Sequence, residues 1–290
     1  MSAAISHFRP ALTALALMSS VAMAQTTADS GADSPQSSDP VSFSIAQKFW
    51  YASFQTTPLV AHVVLPPGSS TPVAQASLDA SSSSKLMPIT AVSATWKDWS
   101  ISASGSPHTS FSNPDAPDGK ISRDEYDFSL AYAVLHPSET RSRLSLLADY
   151  KIGEVKPITG ASATEILGVQ SNVRVSAILL GLSGVSPVAE VGGKELLLYG
   201  NAALGFGHSH FSTPLIHAIN TRYSIAEVGL SCPVSDVFSV QLGYRTQDFT
   251  LRHVPLVTVS TESAGTILSS TTRNAQSSTE GPILGVTASF

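Results

Sequence analysis

The residue types most able to do chemistry lie together in residues 207 to 212. His208 and His210 are two positions apart, so in an extended chain both side chains point to the same side. Such a pair of imidazoles can bind a metal ion, and His210 could instead activate the hydroxyl of Ser212 as a nucleophile. Two histidines in a loop at the end of a strand are more often plain surface residues. We therefore predict no catalytic residue, no metal site and no cofactor here.

A second set of reactive groups consists of charged residues on extended segments, each on the face opposite an apolar one. If the strands enclose a common interior, these side chains point into it. Both signs are present in equal number: Lys48, Glu125, Asp127, Asp149, Lys151, Arg174, Glu227 and Arg245. Charges in a narrow interior need partners, so we expect ion pairs that fill it. The alternatives are a polar channel whose ion selectivity these groups set, and catalysis.

The elements that position these groups are alternating segments of about ten residues separated by turn-forming sequence. In each of them apolar side chains recur at every second position. Phe238, Val240 and Leu242, for example, alternate with Ser239, Gln241 and Gly243. Ten strands are predicted, at 41–54, 86–96, 99–104, 121–134, 143–153, within 170–185, and at 195–207, 220–232, 237–250 and 281–290.

The predicted connections alternate between long and short. The long ones are 55–85, 105–120, 154–164, 208–219 and 251–280, and all fall at one end when the strands are antiparallel. Within the first, Leu59 to Leu65 could form a loop strand. A tight turn at Lys97 and Asp98, flanked by Trp96 and Trp99, separates two strands. The alternative is one long strand through that turn, which would make the number of strands odd.

The composition of the chain indicates where the protein is located and which partners it can have. A basic start, an apolar run and Ala22 and Ala24 before Gln25 predict a signal peptide over 1–24, and polar residues 25–40 predict a disordered periplasmic leader. The net charge is −5, or −6 without Arg9, so no nucleic acid is expected as a partner. The single cysteine, Cys232, cannot form an internal disulfide. After the leader, no apolar run is long enough for a transmembrane helix.

The last predicted strand identifies an architecture. Pro282, Leu284, Val286, Ala288 and Phe290 share one face. This ending resembles the closing strand of bacterial outer-membrane β-barrels. The resemblance implies an all-β, antiparallel transmembrane barrel over 41–290 in the cell outer membrane. It also implies that Phe290 acts as the membrane insertion signal read by the barrel assembly machinery, and that outer-membrane lipid and lipopolysaccharide surround the protein.

Two families of barrel enzymes are similar in part. The lipid A deacylases use a His-Ser-acid site, for which Glu227 would supply the acid, but Thr213 follows Ser212 where that family has Asn. The omptin proteases use paired aspartates, whereas Asp115, Asp118 and Glu154 form no doublets.

We therefore predict a non-enzymatic protein with a mostly filled lumen, acting as a structural or surface-interaction protein through its external loops. The alternatives are a narrow passive pore for ions or small solutes, a rim-site enzyme such as a lipid hydrolase, and a secreted soluble β-sandwich. The sequence leaves the oligomeric state undecided.

Overall fold

The computed structural model describes residues 41–290 with gaps at 57–59, 65–71, 78–79, 114–115, 136–141, 157–172, 212–217, 253–257, 262–264 and 270–273. The signal peptide and leader predicted for 1–40 lie outside the described residues. Among the residues described, no helix is long and apolar enough to cross a membrane.

Ten strands of the described chain form a closed antiparallel barrel. In chain order the strands are β1 (Ser42–Thr56), β2 (Val60–Val64), β3 (Pro72–Ser77), β4 (Ala80–Ser81), β5 (Lys85–Trp96), β6 (Trp99–Asn113), β7 (Ala116–Leu135), β8 (Arg143–Lys156), β9 (Val173–Val191), β10 (Lys194–Phe211), β11 (Ala218–Pro233), β12 (Phe238–Arg252), β13 (Thr258–Thr261), β14 (Gly265–Ser269) and β15 (Asn274–Ser289). Around the barrel the order is β15-β12-β11-β10-β9-β8-β7-β6-β5-β1, and β15 pairs with β1 to close the ring.

The ten predicted membrane strands correspond to these ten barrel strands. The turn at Lys97 and Asp98 is confirmed, since β5 and β6 pair up to Trp96 opposite Trp99. Lys97 adopts a positive φ of 54° there, which a two-residue hairpin turn requires. The alternative of one continuous strand through these residues is therefore wrong.

The two ends of the barrel differ. At the terminal end, where β1 begins and β15 finishes, neighbouring strands are joined by the short connections 97–98, 136–142, 192–193 and 234–237. At the opposite, loop end, strands β2, β3, β13 and β14 pair into a separate sheet of order β13-β14-β2-β3. The loop strand predicted near Leu59 to Leu65 is therefore confirmed as β2. In bacterial barrels the short turns face the periplasm.

Three predicted long loops are shorter than expected, because the strands continue past the apolar belt. β6 reaches Asn113 and β7 starts at Ala116, so most of 105–120 is paired. β10 likewise reaches Phe211, and the closing strand begins at Asn274 rather than at residue 281. Apolar alternation is enforced only where lipid covers one face, whereas backbone pairing continues beyond the membrane.

The barrel has an apolar exterior. Large apolar side chains on alternate positions are exposed all around it, and the most exposed ones are Phe206, Phe290, Leu180, Ile178 and Leu242. Gln47 and Thr90, which are polar and lie among them, hydrogen-bond to each other across β1 and β5 at 2.8 Å. The opposite face of each strand points inward, where buried charged and polar side chains gather.

Candidate functional site in the barrel lumen

A network of ion pairs crosses the lumen. Lys48 on β1 donates a hydrogen bond to Glu227 on β11 at 2.7 Å. The other carboxylate oxygen of Glu227 lies 3.5 Å from Arg245 on β12. The Arg245 guanidinium is also 3.9 Å from Asp127 on β7. Because β7 and β12 are five strands apart in the ten-strand ring, this network spans the lumen from one wall to the opposite wall.

The network continues on the β7 side. Lys151 on β8 lies 2.5 Å from Asp127 and 3.3 Å from Glu125. Glu125 also pairs with Arg123 on its own strand. Gln247 on β12 donates to Glu125 at 2.5 Å, which is a second connection between β12 and β7. Opposite charges thus lie in contact throughout, as desolvated ions require.

Aromatic rings line the same network. Lys48 Nζ lies 5.7 Å from the ring centre of Tyr199, and Lys151 Nζ lies 5.6 Å from that of Tyr223. The Arg245 guanidinium lies 5.1 Å from the ring centre of Trp50. Each of these cations therefore contacts both a carboxylate and an aromatic face, and such cation–π contacts are favourable within about 6 Å.

Apolar side chains fill the lumen between the ion pairs and the loop end. One cluster comes from β1, β5, β6 and β15, and a second comes from β9 to β12. Val155 on β8 packs against both clusters. The fully buried members include Trp50, Phe111, Met87, Leu179 and Ile283. Buried polar side chains, among them Ser209, Thr221 and Thr279, lie in the same half.

The terminal-end half of the lumen carries small polar side chains beside a third apolar cluster of Val185, Leu197 and Tyr199. Ser44 bonds Ser93 at 2.6 Å, and Thr95 bonds Ser100 at 2.9 Å. On the terminal-end side of the ion pairs, these small residues leave a cavity of about 90 Å³. Among its lining residues are Ser102, Ser104, Ser129, Asp149 and Ser183.

Of the eight charged residues predicted to point inward, the structure brings seven together inside the barrel. Asp149 lies at the edge of the network and accepts a 3.0 Å hydrogen bond from Ser129. The prediction for Arg174 is wrong, because its side chain is exposed. On β9 the buried positions are Val175, Ala177 and Leu179. Both faces of this strand are apolar, so alternation alone could not tell the lipid face from the lumen face.

Several lumen residues were missed from the sequence. Arg123 is buried and bonds Glu125, and it also donates to Tyr223 at 3.5 Å and to Thr279 on β15. Arg143 is buried too, near Ser100. The available signal was their spacing: Arg123 lies two positions before Glu125, and Arg143 lies two before Ser145, so each shares the face of its inward-pointing neighbour.

His208 and His210 lie in β10 rather than in a loop, and both side chains are exposed on the outer face. Ser209 between them points inward, is fully buried and lies 2.6 Å from Thr221. Glu227 is in the lumen, bonded to Lys48, so the wall of the barrel separates it from His210. Ser212 lies outside the described residues. Within the described residues, no group of three or more metal-ligating side chains is placed to hold an ion.

The closed antiparallel sheet, the apolar exterior and the polar, ion-paired interior together define a transmembrane β-barrel of the bacterial outer membrane. No family model and no curated protein sequence matches the chain.

Several solved structures are similar to it. The outer membrane protease OmpT from Escherichia coli is 12% identical over 86% of this chain and 97% of that one, with a TM-score of 0.47. The translocator domain of the autotransporter NalP from Neisseria meningitidis is 13% identical over 85% and 88%, with a TM-score of 0.37. A FadL homologue from Pseudomonas aeruginosa is 10% identical over 87% and 90%, with a TM-score of 0.26.

Proposed function

We propose that the protein is a non-enzymatic outer-membrane barrel with a filled lumen, which acts as a structural and surface-interaction protein through its loop end. The observation that carries this proposal is the network of Glu125, Asp127, Arg245 and Gln247, which joins opposite walls. Apolar clusters fill the lumen on its loop side. A solute crossing the barrel would have to displace both layers.

The test is ion conductance of the refolded chain, residues 25–290, in a planar lipid bilayer. We expect an inserted barrel that stays electrically silent. Insertion is established separately by resistance to heat and protease in lipid vesicles. Steady, discrete conductance steps from an inserted barrel would overturn the filled-lumen proposal.

The loop-end sheet supports a role at the cell surface. β2 comes from the first long connection and β14 from the last, and they pair directly. Connections from distant parts of the chain therefore share one ordered sheet, which suits a defined contact surface better than unconnected loops would.

Exposure of this sheet is testable on intact cells. In a Cys232→Ser background, Ser84→Cys, an exposed position at the loop end directly before β5, is expected to react with a membrane-impermeant maleimide. The matched control is Ser235→Cys, in the short turn between β11 and β12, which should react only after the envelope is permeabilised. The reverse labelling pattern would place the sheet on the periplasmic side and remove the proposed role.

A narrow passive pore is the second candidate. The cavity of about 90 Å³ and its serine lining favour it, because small polar side chains leave room for water. The bilayer measurement above decides between the two functions. For a pore, Arg245→Gln would change the ion selectivity, whereas in a filled barrel the same change mainly lowers thermal stability.

The absence of enzymatic activity is part of the proposal. Its support is the position of Glu227, which is bonded to Lys48 and Arg245 inside the lumen while His210 is outside. The refolded protein and its His210→Ala variant should both leave phospholipid and lipid A esters intact. Ester hydrolysis by the unmodified protein that His210→Ala abolishes would overturn this part.

A further inference from the structure

The exterior of the barrel carries a groove within the lipid-facing surface. It has a volume of about 780 Å³. Its floor is made of small side chains, Ala94, Ala103 and Ala148, and larger side chains form its borders, among them Phe43, Tyr150 and Ile178. All of these lie on the outward positions of their strands.

Strand pairing defines the course of the groove. Phe43 lies opposite Ala94, and Tyr150 lies opposite Ile178. The groove thus crosses from β1 to β9, which is five steps around the ring and about 24 Å at the usual strand spacing. Phe43 is near the start of β1 at the terminal end, and Ile178 is in the loop-end part of β9. The groove therefore runs obliquely through the apolar belt, from Ile178 on the loop-end side to Phe43 at the terminal end.

Arg174 and two histidines lie just beyond the groove on the side of the loop end. Arg174 precedes Ile178 by four residues on the same outward face of β9, about 13 Å along the strand. It lies directly opposite His210, with His208 on the diagonal. On the other side Glu154 lies opposite Arg174, and Asp124 lies opposite Glu154, so the hydrogen-bond donors of this group lie on the β10 side. Ile178 and Phe206 are 64% and 71% exposed, and Phe206 lies opposite Arg222, which is exposed on the outward face of β11. The edge of the hydrocarbon is therefore at this level, which places Arg174, four residues nearer the loop end, in the headgroup region.

We propose that this exterior surface binds a phosphate-bearing lipid of the outer leaflet. An acyl chain lies in the groove from Ile178 towards Phe43, and the lipid phosphate lies against Arg174 and His208. The occupant is a lipid because the groove is inside the apolar belt, and it is anionic because the group beyond the groove offers guanidinium and imidazole donors. This proposal does not depend on whether the lumen conducts.

The test uses the full barrel in a neutral detergent and native mass spectrometry to count bound lipids. The probes are phosphatidic acid and diacylglycerol with the same acyl chains, and inorganic phosphate as competitor. We expect phosphatidic acid to bind at least tenfold more tightly than diacylglycerol, and inorganic phosphate at millimolar concentration to leave it bound. Equal binding of the two lipids would overturn the phosphate site, and displacement by inorganic phosphate would overturn the role of the groove.

Variants separate the two parts of the site. Arg174→Gln should weaken phosphatidic acid at least fivefold and leave diacylglycerol unchanged, and Arg174→Lys should retain most of the binding. Ala103→Trp fills the groove floor and should weaken both lipids. The matched controls are Arg252→Gln, an exposed arginine at the loop end of β12, and Ala226→Trp on the outward face of β11.

Unfolding temperatures of all variants should equal that of the unmodified protein, since every change is on the exterior. A folded Arg174→Gln barrel with unaltered lipid binding would overturn the proposal. A barrel dimer that Ala103→Trp converts to monomers would likewise overturn it, because the groove would then be an interface between two copies.

Discussion

Lys48 donates a 2.7 Å hydrogen bond to Glu227 although their strands, β1 and β11, are not neighbours in the barrel. β15 and β12 lie between them in the ring. The bond therefore joins parts of the wall that backbone pairing does not connect directly. Ion pairs of this kind brace the cross-section of the barrel, and their removal should affect stability more than fold.

The first prediction concerns this pair. Lys48→Met keeps the length of the side chain but leaves Glu227, 1% exposed, with Arg245 as its remaining cation in the network. Removing one partner of a buried ion pair costs about 3 to 5 kcal/mol. The free energy of unfolding, measured by urea titration in lipid vesicles, should fall by about that amount.

The control for this experiment is Lys194→Met, at the first position of β10, which should change the free energy of unfolding little. The double variant Lys48→Met with Glu227→Gln should lose less than the sum of the two single changes. Strict additivity would show that the two side chains are not coupled.

The second prediction concerns Tyr199 and the two glycines next to its hydroxyl group, Gly229 and Gly243. Gly229 pairs with Tyr199 across β10 and β11, and with Gly243 across β11 and β12. A Cβ at Gly229 would lie 2.7 Å from the Tyr199 hydroxyl oxygen and 2.4 Å from the carbonyl oxygen of Leu242. Because a backbone atom is among these contacts, Gly229→Ala should lower the unfolding temperature even when Tyr199 is shortened to Leu.

Gly153→Ala serves as the comparison, since its Cβ would meet the nearest atom, a backbone oxygen, at 3.3 Å. It should cost clearly less than Gly229→Ala in the same unfolding measurement. Equal costs would mean that the 2.4 Å contact with the backbone of Leu242 is not the cause.

The third prediction is that removing the apolar cluster of β1 and β6 weakens the seal of the lumen. The triple variant Trp50→Ala, Phe54→Ala and Phe111→Ala deletes three buried rings. We expect brief conductance steps in planar bilayers, where the unmodified barrel is silent. The exterior triple variant Phe49→Ala, Phe206→Ala and Phe238→Ala removes as many rings from the lipid face and should stay silent. A folded but silent interior variant would contradict this prediction and show that the remaining ion pairs and side chains are enough to close the lumen.

The fourth prediction concerns Phe290. Its side chain is 70% exposed, and its backbone bonds Phe43 in both directions at 2.8 and 3.0 Å. Phe290→Ala keeps these backbone bonds, so the protein refolded in detergent should unfold at the same temperature. If assembly machinery reads this side chain, however, the heat-resistant barrel in the outer membrane of expressing cells should fall severalfold. Phe238→Ala, another exposed aromatic of the lipid face, is the control, and an equal loss from both would contradict a specific signal.

The alternation of side chains was sufficient to predict the strands that face lipid. Phe238, Leu242 and Tyr244 differ so clearly from Gln241 and Arg245 that only one orientation of β12 is compatible with a membrane. The same reasoning failed on β9, where Leu179 and Leu180 are both apolar but face opposite ways. A lumen filled partly with apolar side chains removes the contrast on which such reasoning depends.

The partners within the lumen could not be predicted. The sequence placed Glu125 and Arg245 inside, but the contact between β7 and β12 depends on how far each strand is staggered around the closed ring. The exterior groove was equally hidden, because Ala94, Ala103 and Ala148 come from three strands and become one floor only through their register.

The pairing of Ser44 with Ser289 connects residues almost as far apart in the chain as the described residues allow. Closing the ring is thus the contact of greatest sequence separation, and topologies dominated by such contacts fold slowly. Until β15 pairs with β1, β1 presents an unsatisfied hydrogen-bonding edge beside an apolar face, which favours aggregation. The yield of refolded barrel should therefore depend on how fast this last pairing forms compared with contacts between chains.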